Sequence, residues 1–228
     1  MELLSEDKLI WSPIVANSAM NRARKASGVN SYEQEFKFKP EKFLEGIISS
    51  KGNASWLDLC CGEGNALIQA EKYFTDRNQE HTMHLVGVDL IYNKSLYSEG
   101  KTKINFHTSP LLKFKPTEKF DLITCVHGLH YIGDKLKAIE NAIGWLKPSG
   151  IFIANLETSN IKIAQEGADF LKLKFEENQL DYKPRQKILK RIGHLEFSFG
   201  CNYLGADDNY GPNYTGQNAV KSYYKIQH

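Results

Sequence analysis

The sequence predicts an α/β fold on a doubly wound, mostly parallel sheet, and three observations carry that expectation. From Trp56 onward, short apolar segments alternate with segments of helical periodicity, the pattern of strands joined by crossover helices. The segments LVGV and FDLITCV offer no polar face, as in a sheet covered on both sides. WLDL runs directly into CCGEGN, a glycine-bearing turn that opens a helix and leaves that helix's first amides available to a ligand.

Taken in order, residues 14–26 (IVANSAMNRARKA) read as a helix with a basic face. The stretch SYEQEFKFKPEKFLEGIISS reads as a loop and then a helix starting near Pro40. The alternation follows: WLDL, helix NALIQAEKYF, strand HLVGVDL, a short helix within NKSLYSEG, strands INFH and FDLITCV, helix DKLKAIENAIGWL and strand GIFIANLE. Leu136, Ile139, Ile143 and Leu146 recur at near-helical spacing, and LKPSG stops that helix. Beyond Glu157, AQEGADFLKLKFEENQL reads as a helix, and KILKRI, LEFSF and VKSYYKI as strands. The turn-rich GADDNYGPNYTGQN separates the last two.

The chain has 228 residues, 41% hydrophobic and 25% charged, enough for one full core. Net charge is +2 without a lysine or arginine block, which gives no strong nucleic-acid or membrane-surface signal. The start MELLSEDKLIWSP lacks the pattern of a secretory signal, and nowhere do ~18 apolar residues run together, so the expected location is cytoplasmic. Among Cys60, Cys61, Cys125 and Cys201 no pair has the spacing of a zinc knuckle or redox motif. Cys60 and Cys61 read as small turn residues.

At the glycine turn, Asp58 adds a negative charge that a phosphate site would avoid and a cationic ligand would welcome. Asp89 ends the next strand, where a carboxylate either accepts both hydroxyls of a ribose or caps the following helix. Leu67 stands where a nicotinamide-binding turn needs a small residue, which argues against a dehydrogenase.

Residues 55–157 resemble the class I S-adenosylmethionine-dependent methyltransferases, through LDLCCGEG, VGVDL, FDLITCVHGLHYI and LKPSGIF in order. The resemblance implies a Rossmann-like, seven-stranded sheet and S-adenosylmethionine as cofactor. It implies one domain over residues 1–228: a helical N-terminal extension or lid (1–52), a cofactor-binding core (53–157) and a C-terminal region for the acceptor (158–228). It places Asp58 near the methionine amino group, Gly62 and Gly64 under the cofactor, and Asp89 on the ribose. Cys60 stands where the family's first glycine usually does, so its backbone must adopt a conformation that a side chain tolerates. The aspartate that commonly reads adenine is absent from INFHTSPLL. Ser109 and the amide of Leu111, with Leu90 and Val126 as further cofactor contacts, are the expected substitutes.

Methyl transfer needs alignment and, only for some acceptors, a base. His127 is the candidate base, and His130 reads as structural. Tyr32 is a candidate contact to the methionine end or the acceptor, or an ordinary packing residue. Asp207, Asp208, Asn213 and Tyr214 are candidate acceptor contacts, or members of a solvated turn. No Asn/Asp-Pro-Pro-aromatic run follows the fourth strand, which favours a small-molecule or peptide acceptor. No acidic cluster follows FDLITCV, so no metal is expected. The alternatives are a non-catalytic binder of the cofactor and an RNA methyltransferase.

Overall fold

The computed structural model describes residues 2–16, 23–91, 103–164 and 169–227. Among these, seven strands form one sheet in the order β3-β2-β1-β4-β5-β8-β7. They are β1 (Ala54–Leu59), β2 (Met83–Asp89), β3 (Asn105–Thr108), β4 (Phe120–Cys125), β5 (Leu146–Asn155), β7 (Asp181–Lys183) and β8 (Ile188–Ile192). Strands β1 to β5 pair in parallel, and β8 turns antiparallel against β5 and β7. This is the doubly wound, mostly parallel sheet expected, with its order reversing beside β1, where such sheets place their ligand crevice.

Strands β1 and β4 are buried at every residue, which is why they read as mostly apolar runs, and their polar members Ser55, Asp58, Asp121 and Thr124 hydrogen-bond to one another or to neighbouring strands. Helix α4 (Asn65–Thr75) buries Ala66, Leu67, Ala70 and Phe74, one stripe of a 3.6-residue repeat. Helix α3 (Pro40–Lys51) starts on its proline and ends where Gly52 turns left-handed. Helix α5 (Lys135–Gly144) is capped by Asp134, whose carboxylate accepts from the amide of Lys137 at 3.1 Å. Leu146 belongs to β5 rather than to α5. Pro148 and Ser149 lie inside that strand, beside a register shift, so LKPSG both stops the helix and opens the strand.

The expected helix in residues 93–100 lies outside the described residues. So do residues 17–22 of the helix expected over 14–26; the described residues at its two ends are not helical. Helix α6 is described over Asp169–Glu177 and ends three residues before the expected Leu180; residues 165–168 of the expected helix lie outside the described residues. LEFSF is not a strand. Phe199 is buried with Leu195 and Phe197 packed on the same core, and its amide donates to Glu140 Oε1 at 2.8 Å instead of to a ladder.

A second sheet, order β6-β10-β9, joins β6 (Ile161–Ile163), β9 (Cys201–Pro212) and β10 (Asn218–Ile226). Most of GADDNYGPNYTGQN is therefore strand β9, and only a short turn links it to β10. The edge of β9 is covered by the start of the chain, where Leu4 and Ala206 exchange backbone hydrogen bonds of 2.8 and 2.9 Å. Helix α1 (Glu6–Leu9) follows, and Leu9 packs on Ala206 and Val220.

Candidate functional site

The turn after β1 is left-handed at Cys60 (φ 56°), Gly62 (φ 60°) and Gly64 (φ 72°). Cys60 thus takes the small left-handed region that an L side chain can occupy, at a cost of roughly 1–2 kcal/mol. Gly64 has no such latitude: a Cβ there would stand 2.4 Å from the ring of Phe106. Gly64→Ala is expected to destabilise the chain by about 2–4 kcal/mol, overpacking added to backbone strain, as read from thermal or urea melts.

Asp89 closes this turn from the neighbouring strand. Its Oδ2 accepts from the amide of Gly62 at 2.8 Å and its Oδ1 from the amide of Ile91 at 3.0 Å. The carboxylate so fixed borders a cavity that opens to solvent and is lined by both apolar and polar groups. Cys60 and Gly62 form its floor, and Leu90, Leu111 and Val126 form an apolar shelf with Ser109 beside it. Seven of the expected cofactor contacts thus meet in one cavity. The Ser109 amide donates to Asp89 O (3.0 Å), which binds that shelf to the end of β2.

Asp58 behaves differently from expectation. It is fully buried and lies behind the cavity wall, where Tyr32 hydroxyl donates to its Oδ2 at 2.8 Å and Thr124 Oγ1 to its Oδ1 at 2.6 Å. Burial pushes its carboxyl up to about 7, against the lowering effect of the two hydroxyls, and the charge of Asp89 pushes the same way. Near neutral pH it is therefore a partly protonated hydrogen-bond acceptor rather than a fixed negative charge in the crevice. Tyr32, on α2 (Tyr32–Phe36), stands between it and the cavity. Gly64 also lies off the cavity wall.

The cavity is also lined by His127, again left-handed (φ 55°), its amide donating to Asn155 Oδ1 at 3.2 Å. Its Nε2 lies 3.1 Å from Glu35 Oε1, a charge contact without the alignment of a hydrogen bond. Its Nδ1 is 3.4 Å from the hydroxyl of Tyr214. Burial raises the Glu35 carboxyl, but His127 and the Arg24 guanidinium together outweigh it and draw the group down to about 2. Glu35 is thus ionised throughout the neutral range. His130 stacks on His127 with ring centroids 5.7 Å apart, and burial holds its imidazole down to about 3, a neutral packing ring. Glu35, Arg24 and Gln217 escaped the sequence reading because their importance comes from contacts between distant segments. Only the Ser31 cap of α2 hinted that a defined element precedes the sheet.

The other C-terminal candidates do local work. Asp208 accepts from Ser12 Oγ at 2.6 Å and so latches the N-terminal arm. Asp207 accepts from the amide of Asn209 at 2.9 Å, and Asn213 Oδ1 accepts from both the amide and hydroxyl of Thr215. These replace the acceptor loop expected there; of that set, Tyr214 alone reaches His127. Among the described residues, no three His, Cys, Asp or Glu side chains converge as a metal would need, and no helix is long and apolar enough to cross a membrane.

Residues 30–194 match a family model described as "Methyltransferase domain". The chain is 25% identical over 127 residues to the ubiquinone biosynthesis O-methyltransferase of Coxiella burnetii, covering 53% of this chain and 50% of that protein, so it spans about half the length of this curated relative. Among solved structures it is similar to the plantazolicin methyltransferase BpumL bound to SAH (TM-score 0.45, 14% identity, 80% of this chain and 64% of that one). It is also similar to the sugar N-methyltransferase KedS8 from Streptoalloteichus (TM-score 0.38, 17% identity, 68% and 55%). With the family match covering the glycine turn, Asp89 and the whole seven-stranded sheet, the chain belongs to the class I S-adenosylmethionine-dependent methyltransferase family.

Proposed function

We propose that this chain transfers a methyl group from S-adenosylmethionine to a small-molecule or peptide acceptor. The observation that carries the reading is one cavity lined by the glycine turn, Asp89 and an apolar shelf and also by His127, with Glu35 3.1 Å from the imidazole of His127. The residues fit the cofactor. Asp89 is held by two backbone amides, and a carboxylate oxygen can accept further hydrogen bonds, here from the ribose hydroxyls. Leu90, Leu111 and Val126 pack against the adenine, with Ser109 and the Leu111 amide at its polar edge. The hydroxyl oxygen of Tyr32, oriented by Asp58, meets the methionine end.

The bound cofactor supplies a methyl group on a sulfonium, open to in-line attack. The chain's own contribution is to hold the acceptor on that line, an alignment worth roughly 7–11 kcal/mol. The N-terminal extension through residue 52 and the region beyond residue 157 build the acceptor side, through Arg24 and Glu35 from the first and Tyr214 and Gln217 from the second. Residues 195–227, which carry the β9–β10 turn, lie beyond the family match, consistent with an acceptor particular to this chain. The printed name of the curated relative, an O-methyltransferase, is compatible with a small acceptor. Among the described residues no two cysteines form a disulfide, which suits the reducing cytoplasm.

Calorimetry should show micromolar binding of S-adenosylmethionine, and a labelled-methyl assay over a metabolite pool should show transfer. Binding without transfer to any acceptor would leave a cofactor-binding protein. Absence of binding by the folded chain would refute the reading altogether.

A further inference from the structure

We propose that Glu35 and His127 act as a pair on an acceptor hydroxyl: His127 Nδ1 takes the proton, and Glu35 holds the imidazole and offsets the charge it gains. The acceptor class is accordingly an alcohol or phenol. The inference rests on the methyl-transfer reading above and narrows it.

The following observations converge on the pair. His127 projects from the end of β4, the central strand beside β1, into the cavity that holds the glycine turn and Asp89. It does so from a left-handed backbone, a strained conformation in a side-chain-bearing residue that is pinned by Asn155. An ionised carboxylate lies 3.1 Å from Nε2, and its charge favours the tautomer that keeps the proton on Nε2 and the lone pair on Nδ1. The neighbour of Nδ1 is the Tyr214 hydroxyl at 3.4 Å, too distant for a strong hydrogen bond and carried on a solvent-facing turn, so an incoming hydroxyl can take its place. Glu35 reaches His127 from α2 on the N-terminal side, with Arg24 holding its carboxylate from the other direction. The ring of His127 packs on that of His130 and is tilted against that of Tyr214, with centroids 5.7 and 5.8 Å away, which fixes the plane of its imidazole.

The chemistry selects the acceptor class. A neutral amine attacks with a lone pair it already has, and a thiol ionises readily. An alcohol or phenol becomes a good nucleophile only as its proton leaves. The oxygen–hydrogen pair becomes the new oxygen–carbon bond, the proton passes to His127 Nδ1, and the carbon–sulfur pair returns to sulfur, leaving a neutral thioether. The imidazolium, beside Glu35, then releases its proton to water.

The test uses the full chain with S-adenosylmethionine and a ring-substituted series running from phenol through 4-cyanophenol to 4-nitrophenol. His127→Gln is expected to lower kcat on phenol by about 100-fold or more and Glu35→Gln by about 10-fold or more, with KM little changed. Both losses should shrink toward 4-nitrophenol, which arrives largely ionised. Glu35→Asp should recover part of the rate, and the double variant should be no slower than His127→Gln alone, because the two act as one unit. Histidine nitrogen NMR of the cofactor-free chain, with His127 assigned by its loss in His127→Gln, should show the Nε2-protonated tautomer and its depletion in Glu35→Gln. Equal losses across the series, additive effects in the double variant or an unchanged tautomer would overturn the pairing. Binding of S-adenosylmethionine with no transfer to any phenol would overturn the hydroxyl class alone. Failure to bind the cofactor would remove the underlying reading as well.

Discussion

Asp89→Ala is expected to weaken binding of S-adenosylmethionine by at least about 100-fold, measured by titration calorimetry on folded protein. A ribose donating two hydroxyl hydrogen bonds to a carboxylate gains roughly 1.5–3 kcal/mol from each. Loss of both corresponds to about two orders of magnitude or more. The substitution also removes the acceptors for the amides of Gly62 and Ile91, which loosens the turn itself. Asp89→Asn separates the two effects. It keeps one acceptor oxygen and the side chain's shape, so it should preserve the melting temperature better than alanine while still losing the charge. Affinity unchanged in both variants would mean that the cofactor does not lie along the end of β2.

Asp58→Asn is expected to make the chain more stable at pH 8, with a gain that shrinks steadily as the pH falls toward 4. The sign follows from linkage. Burial pushes the folded carboxyl up to about 7 from its ordinary 3.8, so between these values the folded state binds a proton that the unfolded state has released. That contribution to stability is fully present below the unfolded value, declines as pH rises through the interval and is lost above the folded value. A shift of this size corresponds to at most roughly 4 kcal/mol. Asparagine stays neutral throughout and can still serve both partners, accepting from Thr124 and donating to the Tyr32 oxygen. Urea melts of both proteins across this range read the difference directly. A constant gap between variant and parent from pH 5 to pH 8 would show that Asp58 is ionised throughout, contrary to its burial.

Glu35 belongs to a different electrostatic class from Asp58, although both are carboxylates near one cavity. Asp58 is met only by neutral hydroxyls, so burial prevails and it holds its proton. Glu35 is met by a guanidinium and an imidazole, so it stays ionised despite partial burial. No reading of neighbours along the chain distinguishes them, because Thr124, Arg24 and His127 all come from other segments. The same holds for Asp207 and Asp208: the turn-forming composition around them is genuine, yet β10 on one side and Leu4 on the other draw them into a strand. LEFSF shows the reverse case, a strand-like alternation whose rings are buried without a strand edge to pair with.

What the sequence by itself determined is the part governed by neighbours along the chain. This comprises the strands β1 to β5 and β8 in their order along the chain, helices α3, α4 and α5, the glycine turn after WLDL, and Asp89 at the tip of the following strand. Apolar periodicity and turn chemistry act over a few residues, so they can be read from them. Tertiary structure alone decided the second sheet, the protonation of Asp58 and the meeting of Glu35 with His127. Burial and charge contacts depend on which distant segments arrive at one point, and that arrival is a property of the packed chain rather than of any stretch within it.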